Sequence, residues 1–305
     1  KGLTLQSKTV RNRIVNQSLE TAIKSNPSPL FSKSYLNRIS TGNFEDDMKD
    51  IAQADWVIEV VIERLDIKKQ VFEQVEKHRR QGTLITSNTS GIPIHLMTEG
   101  RSEDFVRNFC GTHFFNPPRY LRLLEIIPTA STNPEVVDFL LDYGDKFLGK
   151  TTVLCKDTPA FIGNRIGVYS MLAVTHLIGQ LELTIEEVDK YTGPAMGHPK
   201  SATFRTSDVV GLDTMINVAN GLYENVPQDE AREIFKLPPY VLSMAENKWL
   251  GEKTQQGFYK KIKDKEGGSE ILVLDLKDLS YRKQEKIKST TLDETKKVDG
   301  LVKGR

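Results

Sequence analysis

Between residues 39 and 128 short apolar runs alternate with helical patterns, and a chain of this kind buries both as a parallel sheet covered by helices. Asp55-Trp56-Val57-Ile58-Glu59-Val60-Val61-Ile62 is a nearly continuous apolar run, as expected for a strand buried on both faces. Ile67, Val71, Phe72 and Val75 then recur at helical spacing over 66–79, until Gly82 breaks the pattern. Thr83 to Thr86 is the next strand, and a short helix from Pro93, a third strand over 105–114 and a fourth over 123–127 follow. The first 38 residues read mostly as helix, with Val10, Ile14, Val15, Leu19 and Ile23 on one stripe and a loop at 26–29.

A second region opens with a helix that Asn133 can cap and Pro134 can start, ending at Gly149, and a strand over 151–155 comes next. From Thr158-Pro159 the longest helical pattern of the chain runs to about Leu181, and helices broken by Gly and Pro continue to Tyr259, with a capping box at Thr184 to Glu187. After Lys261 the composition turns polar, apart from one hydrophobic stretch over 271–276. Residues 281–305 hold eight Lys/Arg and four Asp/Glu, which reads equally as a linker or a frayed terminus. The expected division is 1–155, 156–262 and a 263–305 linker or tail.

Charge excludes two partner classes. Lys and Arg total 42 against 41 Asp and Glu in 305 residues, so no general field draws nucleic acid or an anionic membrane. The longest apolar stretches are too short to span a bilayer, and Lys1-Gly2-Leu3-Thr4 opens neither a signal nor a transit peptide, nor with Met. Cys110 and Cys155 both sit in apolar runs and read as buried thiols of a reducing cytoplasm. None of the five histidines pairs at metal-ligand spacing, so no metal is expected. Gly144 to Thr151 matches the phosphate-loop pattern G-x-x-x-x-G-K-[ST] letter for letter, yet a helix precedes it and a strand follows, the reverse of what phosphate binding needs. Gly149 reads instead as a helix C-cap, with Lys150 near the negative end of the dipole.

Ligands of a doubly wound sheet bind beyond the carboxyl ends of its strands. There the sequence places Glu63, then Ser87-Asn88-Thr89-Ser90, then His113 to Asn116, while Glu59 stands among valines and isoleucines in a capping, structural or functional role. Glu125 falls twelve residues after His113, inside Leu123-Leu124-Glu125-Ile126-Ile127, where a carboxylate is costly without a partner. A strand, turn and strand of that length can set the two side by side, and an imidazole held by a buried carboxylate is a general base for a hydroxyl proton. Spacing alone leaves a core histidine, with Glu125 serving an arginine, ahead of that reading. Asn164, early in the long helix, is a first-turn hydrogen bonder or a group aimed at a cleft, and pattern favours the first.

Ser87-Asn88-Thr89-Ser90, Gly111-Thr112-His113-Phe114-Phe115-Asn116-Pro117-Pro118, Glu125 and Cys155-Lys156-Asp157-Thr158-Pro159-Ala160-Phe161-Ile162-Gly163-Asn164-Arg165 closely resemble the L-3-hydroxyacyl-CoA dehydrogenases. Val210 to Asp213 and Lys253 to Tyr259 fit the later segments of that family, so the resemblance spans about 39–262. It implies an α/β, Rossmann-like, mostly parallel sheet followed by a smaller all-helical domain. It also implies NAD-dependent oxidation of a (3S)-3-hydroxyacyl-CoA to a 3-oxoacyl-CoA in fatty-acid β-oxidation. His113 resembles the catalytic base and Glu125 its orienting carboxylate. Ser90 resembles the serine between substrate and nicotinamide, and Asn164 the asparagine near the substrate carbonyl. Glu63, Lys68, Ser90 and Asn116 fall where the family has residues near NAD. The strand, G-x-G-x-x-G turn, helix and second strand that open the family are absent from the residues given, so the sheet is expected to be N-terminally incomplete. Gly197 to Thr206 and the 263–305 extension resemble the long bacterial form, in which an enoyl-CoA hydratase region is fused or associated; a homodimer is the other partner the resemblance allows. The competing readings are another hydroxyacid dehydrogenase of similar two-domain plan and a non-catalytic acyl-CoA-binding member. The first commonly uses a lysine base, and no lysine replaces His113 in the strand-end cluster.

Overall fold

A computed structural model describes Thr4 and residues 6–263 and 268–295. The chain divides into two compact units between Ile162 and Gly163, later than the 155/156 boundary expected. In the first unit α1 (Lys8–Arg11) and α2 (Arg13–Lys24) precede β1 (Trp56–Glu59), α3 (Leu65–His78) and β2 (Leu84–Ser87). Then come α4 (Glu103–Arg107), β3 (Phe109–Phe114), β4 (Leu123–Pro128), α5 (Pro134–Lys146) and β5 (Thr151–Leu154). The sheet runs β1-β2-β3-β4-β5, every pair parallel except β3 with β4. On one face Phe72 and Val75 of α3 pack with Ile85, Phe105, Phe109 and Ile127; on the other Leu140 of α5 covers Leu84, Cys110, Leu124 and Ile126. The amphipathic patterns of α3 and α5 supply those two covers, and β3 and β4, buried on both faces, carry the near-continuous apolar runs.

Three local expectations are corrected and one holds. The 55–62 run is a strand only over Trp56–Glu59, because the Glu59 carboxylate accepts the Val61 N–H at 2.6 Å and turns the chain toward α3. As the first strand in the order, β1 has one edge and part of a face without a described neighbour, and Ile58, Val60 and Ile62 are exposed. Within 105–114, the Ser102 hydroxyl accepts the Phe105 N–H at 3.2 Å and opens α4, so the strand begins at Phe109. Asn133 starts α5 without a side-chain cap, its amide oxygen being taken by Arg107 Nε at 2.9 Å. The Gly144 to Thr151 segment is helix, turn and strand as argued, with Gly149 at φ 63°, and Lys150 Nζ donates to the carbonyls of Pro118 and Leu121. The would-be phosphate lysine therefore clamps the β3–β4 loop.

The second unit carries α6 (Gly163–Gln180), α7 (Ile185–Tyr191), α8 (Phe204–Val210), α9 (Leu212–Asn225) and α10 (Pro239–Glu246). The Thr184–Glu187 capping box is present at the start of α7. To these helices is added an antiparallel sheet of β6 (Tyr259–Lys263), β7 (Ser269–Leu274) and β8 (Tyr281–Lys283), followed by α11 (Thr290–Thr295). The 263–305 linker is thus corrected in its described part; residues 264–267 and 296–305 lie outside the described residues. The strands are integral because Arg282 of β8 grips the buried Glu186 of α7 through two nitrogens, at 2.7 and 2.9 Å. A bidentate pair of this kind fixes geometry as well as charge. Among the described residues no helix is long and apolar enough to cross a membrane.

Asp208 of α8 holds the start of this sheet, accepting the N–H groups of Phe258 and Tyr259 at 2.8 Å each. Burial pushes its carboxyl up to about 6, against the pull of those N–H groups and of Arg205. The folded state thus binds this proton more tightly than the unfolded chain does. The group's contribution to stability is full below the unfolded value of 3.8, falls as pH rises to about 6, and is flat above. Between pH 4 and 7 the stability gap between wild type and Asp208→Asn should shift by about 3 kcal/mol in favour of the variant, two pKa units' worth. Urea unfolding across that range measures it, and a gap independent of pH would contradict the account.

Candidate active site

The antiparallel register of β3 and β4 pairs His113 directly with Glu125. Alternation along the strands then sends both side chains to the same face, and Nδ1 of His113 lies 2.6 Å from Oε2 of Glu125. Both are buried, at 3% and 0% exposure. The other carboxylate oxygen, Oε1, accepts the Ile162 N–H at 3.0 Å. The rings of Phe115 and Phe161 flank the imidazole at 4.5 and 5.8 Å. With Nδ1 engaged, Nε2 is the nitrogen left to meet a ligand; among the described residues it takes no hydrogen bond. Cys155, beside Glu125, is no rival nucleophile: burial and then the Glu125 charge push its thiol up to about 12.

At the carboxyl ends of β1 and β2 lies a second cluster. Lys68, 1% exposed, donates to Glu59 Oε1 and Oε2 at 2.9 and 3.1 Å and lies 3.2 Å from Glu63 Oε2. Ser87 Oγ donates to Glu59 at 2.5 Å. Glu63 Oε1 accepts the Thr89 hydroxyl at 2.5 Å and the N–H groups of Ser90 and Gly91 at 2.9 and 3.2 Å. Burial tends to raise the Glu63 carboxyl, but the Thr89 hydroxyl, the Lys68 charge and the Ser90 N–H outweigh it and hold the group below its usual range. A buried lysine facing two carboxylates is worth little as net stability, and removing one partner is costly. What the cluster does mechanically is hold the loop that carries Ser90.

Of the residues singled out by sequence, the structure therefore brings together His113 with Glu125, and Glu63 with Lys68 and the Ser90 backbone. It does not bring Asn116 into either cluster: Asn116 is exposed in the turn after β3. Asn164 is the second residue of α6, in the other unit. Two residues that the sequence marks without assigning a role acquire one. Glu59, the carboxylate in the apolar run, is the anchor of Lys68. Asn88, in the strand-end segment, ties β2 to the strand that bears His113, its amide oxygen accepting the Phe114 N–H at 2.9 Å.

Carboxylate, hydroxyl and amide groups thus line one rim, with Glu63 half exposed, a donor and acceptor set that fits the hydrogen-bonding end of a dinucleotide. No G-x-G-x-x-G turn for a pyrophosphate lies in the sequence. A mostly parallel sheet with a carboxylate-held histidine at a strand end, followed by a helical unit, defines the class of two-domain α/β dehydrogenases. Within it, residues 4–158 match the model of the 3-hydroxyacyl-CoA dehydrogenase NAD binding domain, and residues 161–261 that of the C-terminal domain. The chain belongs to the 3-hydroxyacyl-CoA dehydrogenase family, whose cofactor is NAD. It is 46% identical over 300 residues to a probable 3-hydroxyacyl-CoA dehydrogenase of Bacillus subtilis, covering 98% of this chain and 37% of that relative. A probable 3-hydroxyacyl-CoA dehydrogenase of Deinococcus radiodurans is 45% identical over 262 residues, covering 86% of this chain and 75% of the relative. The crystal structure of an (S)-3-hydroxybutyryl-CoA dehydrogenase from Ralstonia eutropha superposes with a TM-score of 0.67 at 27% identity, over 82% of this chain and 86% of that one. The chain thus spans little more than a third of the Bacillus relative's length.

Proposed function

We propose that the protein oxidises (3S)-3-hydroxyacyl-CoA to 3-oxoacyl-CoA in fatty-acid β-oxidation. The observation that carries this is the buried 2.6 Å pair of His113 and Glu125 at the strand-end rim. Glu125 accepts the proton on Nδ1, which leaves Nε2 as a lone pair able to take the proton of the substrate hydroxyl. The carboxylate then stabilises the imidazolium that forms, and the flanking Phe115 and Phe161 rings keep water from it. NAD, when bound, supplies the acceptor for the hydride that leaves the same carbon. Glu63, Lys68, Ser90 and Asn116 are the residues proposed to hold it, with the Glu63 network fixing the Ser90 backbone. Ser90 and Asn164 are proposed to donate to the oxygen that becomes the 3-oxo group. In reverse the imidazolium returns its proton to that oxygen.

A fused or associated enoyl-CoA hydratase region is the proposed partner, supported by the length of the Bacillus relative beyond the matched 37%, with a homodimer as the other arrangement. The proposed location is the cytoplasm, supported by two buried free thiols. The test is NADH formation by the full-length protein from 3S- and 3R-3-hydroxyacyl-CoA. Turnover of the 3S substrate is expected, and activity confined to 3R, or to free hydroxyacids, would overturn the reading.

A further inference from the structure

Asp157 takes no part in the chemistry above, yet its side chain, 14% exposed, accepts three hydrogen bonds from one short turn. They come from Ile94 N at 2.6 Å, His95 N at 2.9 Å and His95 Nδ1 at 2.7 Å. The segment after β5 is thereby tied to the end of the loop that carries Ser90. Just beyond, the chain adopts a costly shape: Ala160 and Phe161 are consecutive residues with side chains at φ 59° and 47°, in the left-handed region that only glycine enters freely. The bend is closed by Phe161 N donating to Thr158 O at 3.1 Å. Its products are two contacts with the candidate dyad. Phe161 is placed 5.8 Å from the His113 ring, and the Ile162 N–H reaches Glu125 Oε1 at 3.0 Å, leaving Oε2 to face the imidazole.

Strained backbone of this kind persists only where its surroundings over-determine it. Besides the hydrogen bonds of Phe161 N and Ile162 N, one restraint is the burial of Phe161, and another is the Asp157 carboxylate. We infer that Asp157 is a positioning residue: it clamps the 158–162 turn in its left-handed form and, through the Ile162 N–H, fixes which oxygen of Glu125 meets His113. For its effect on turnover this inference rests on the dehydrogenase reading; for the shape of the turn it does not.

The test uses the full-length protein with Asp157→Ala, Asp157→Asn, Ala160→Gly and the Asp157→Ala, Ala160→Gly double variant. Asp157→Ala should lower kcat by about 10- to 100-fold, the scale of a slightly misplaced catalytic group, with KM for the acyl-CoA changed less than about threefold. Exchange of the Ile162 amide with solvent should accelerate about tenfold, since its opening no longer breaks the clamp. Asp157→Asn keeps one acceptor oxygen and should fall between, which preserves the test if the alanine variant does not fold. The discriminating result is rescue: adding Ala160→Gly should return kcat to within about threefold of wild type and restore Ile162 protection, because glycine takes the left-handed shape unaided. An unchanged Ile162 amide, or a kcat loss that glycine leaves untouched, would overturn the inference and reduce Asp157 to a cap of the 94–97 turn. Were wild type to oxidise no hydroxyacyl-CoA, the functional reading would fail while the amide exchange still decided the role of Asp157.

Discussion

Replacing His113 with glutamine is expected to lower kcat for 3-hydroxyacyl-CoA oxidation by about 10²–10⁴, the usual contribution of a positioned general base. Glutamine fills much of the imidazole's space, and its amide N–H can still donate to Glu125 Oε2, so the buried carboxylate keeps a partner and the sheet its packing. What glutamine cannot do is accept and hold a proton. The loss should therefore fall on kcat, and on kcat/KM equally, with KM changed little, the pattern of an interaction made only in the transition state. Steady-state NADH formation measures it, and a melting curve close to that of wild type shows that the fold survived. Turnover within about threefold of wild type would remove His113 from the mechanism and return it to the role of a core histidine.

The pairing behind that expectation was only partly legible in the sequence: a carboxylate inside an apolar strand, and a strand, turn and strand between it and the histidine, allow it, but spacing alone favours a core histidine and the family resemblance carries the pair. Register does the rest, since opposite residues of an antiparallel pair share a face. Other elements were illegible for identifiable reasons. Phe105 and Val106 look like the start of a strand because periods of 2 and 3.6 cannot be told apart over a few residues, and the arbiter was the single hydroxyl of Ser102. The left-handed turn at Ala160 and Phe161 left no mark, since glycine is the residue that signals positive φ and neither is glycine. Thr158-Pro159 looked like a helix start, and α6 begins only at Gly163. The lysine-rich stretch after Lys261 looked like a linker because the contact that secures it, Arg282 with Glu186, joins residues 96 apart. Lys68 shows the same limit at the site: the helical pattern cannot reveal that the ammonium is buried between two carboxylates of the preceding strand end.

Gly257→Ala should destabilise the second unit by about 4 kcal/mol, the cost of disrupting a buried, hydrogen-bonded charge. A Cβ at Gly257 would overlap Asp208 Oδ1 and lie 2.7 Å from the Gly251 Cα, so it meets a carboxylate on one side and backbone on the other. The carboxylate cannot move aside cheaply, because its oxygens accept the Phe258 and Tyr259 N–H groups that begin β6. Gly251 cannot give way either: at φ 99° its own Cβ position is filled by the Asp208 carbonyl. The two glycines and one aspartate are therefore a single packed joint between α8 and β6, and the spacing of Gly251 and Gly257 is the sequence trace of it. Relief has to come from expelling Asp208, which leaves two buried N–H groups without acceptors. Thermal and urea unfolding of the full-length variant report the loss, and at pH 5 it should be larger than at pH 7, because the buried site favours the protonated Asp208 and that preference is lost when the side chain is expelled to solvent. Wild-type stability in Gly257→Ala would mean that the joint is plastic and that Asp208 does not secure the sheet.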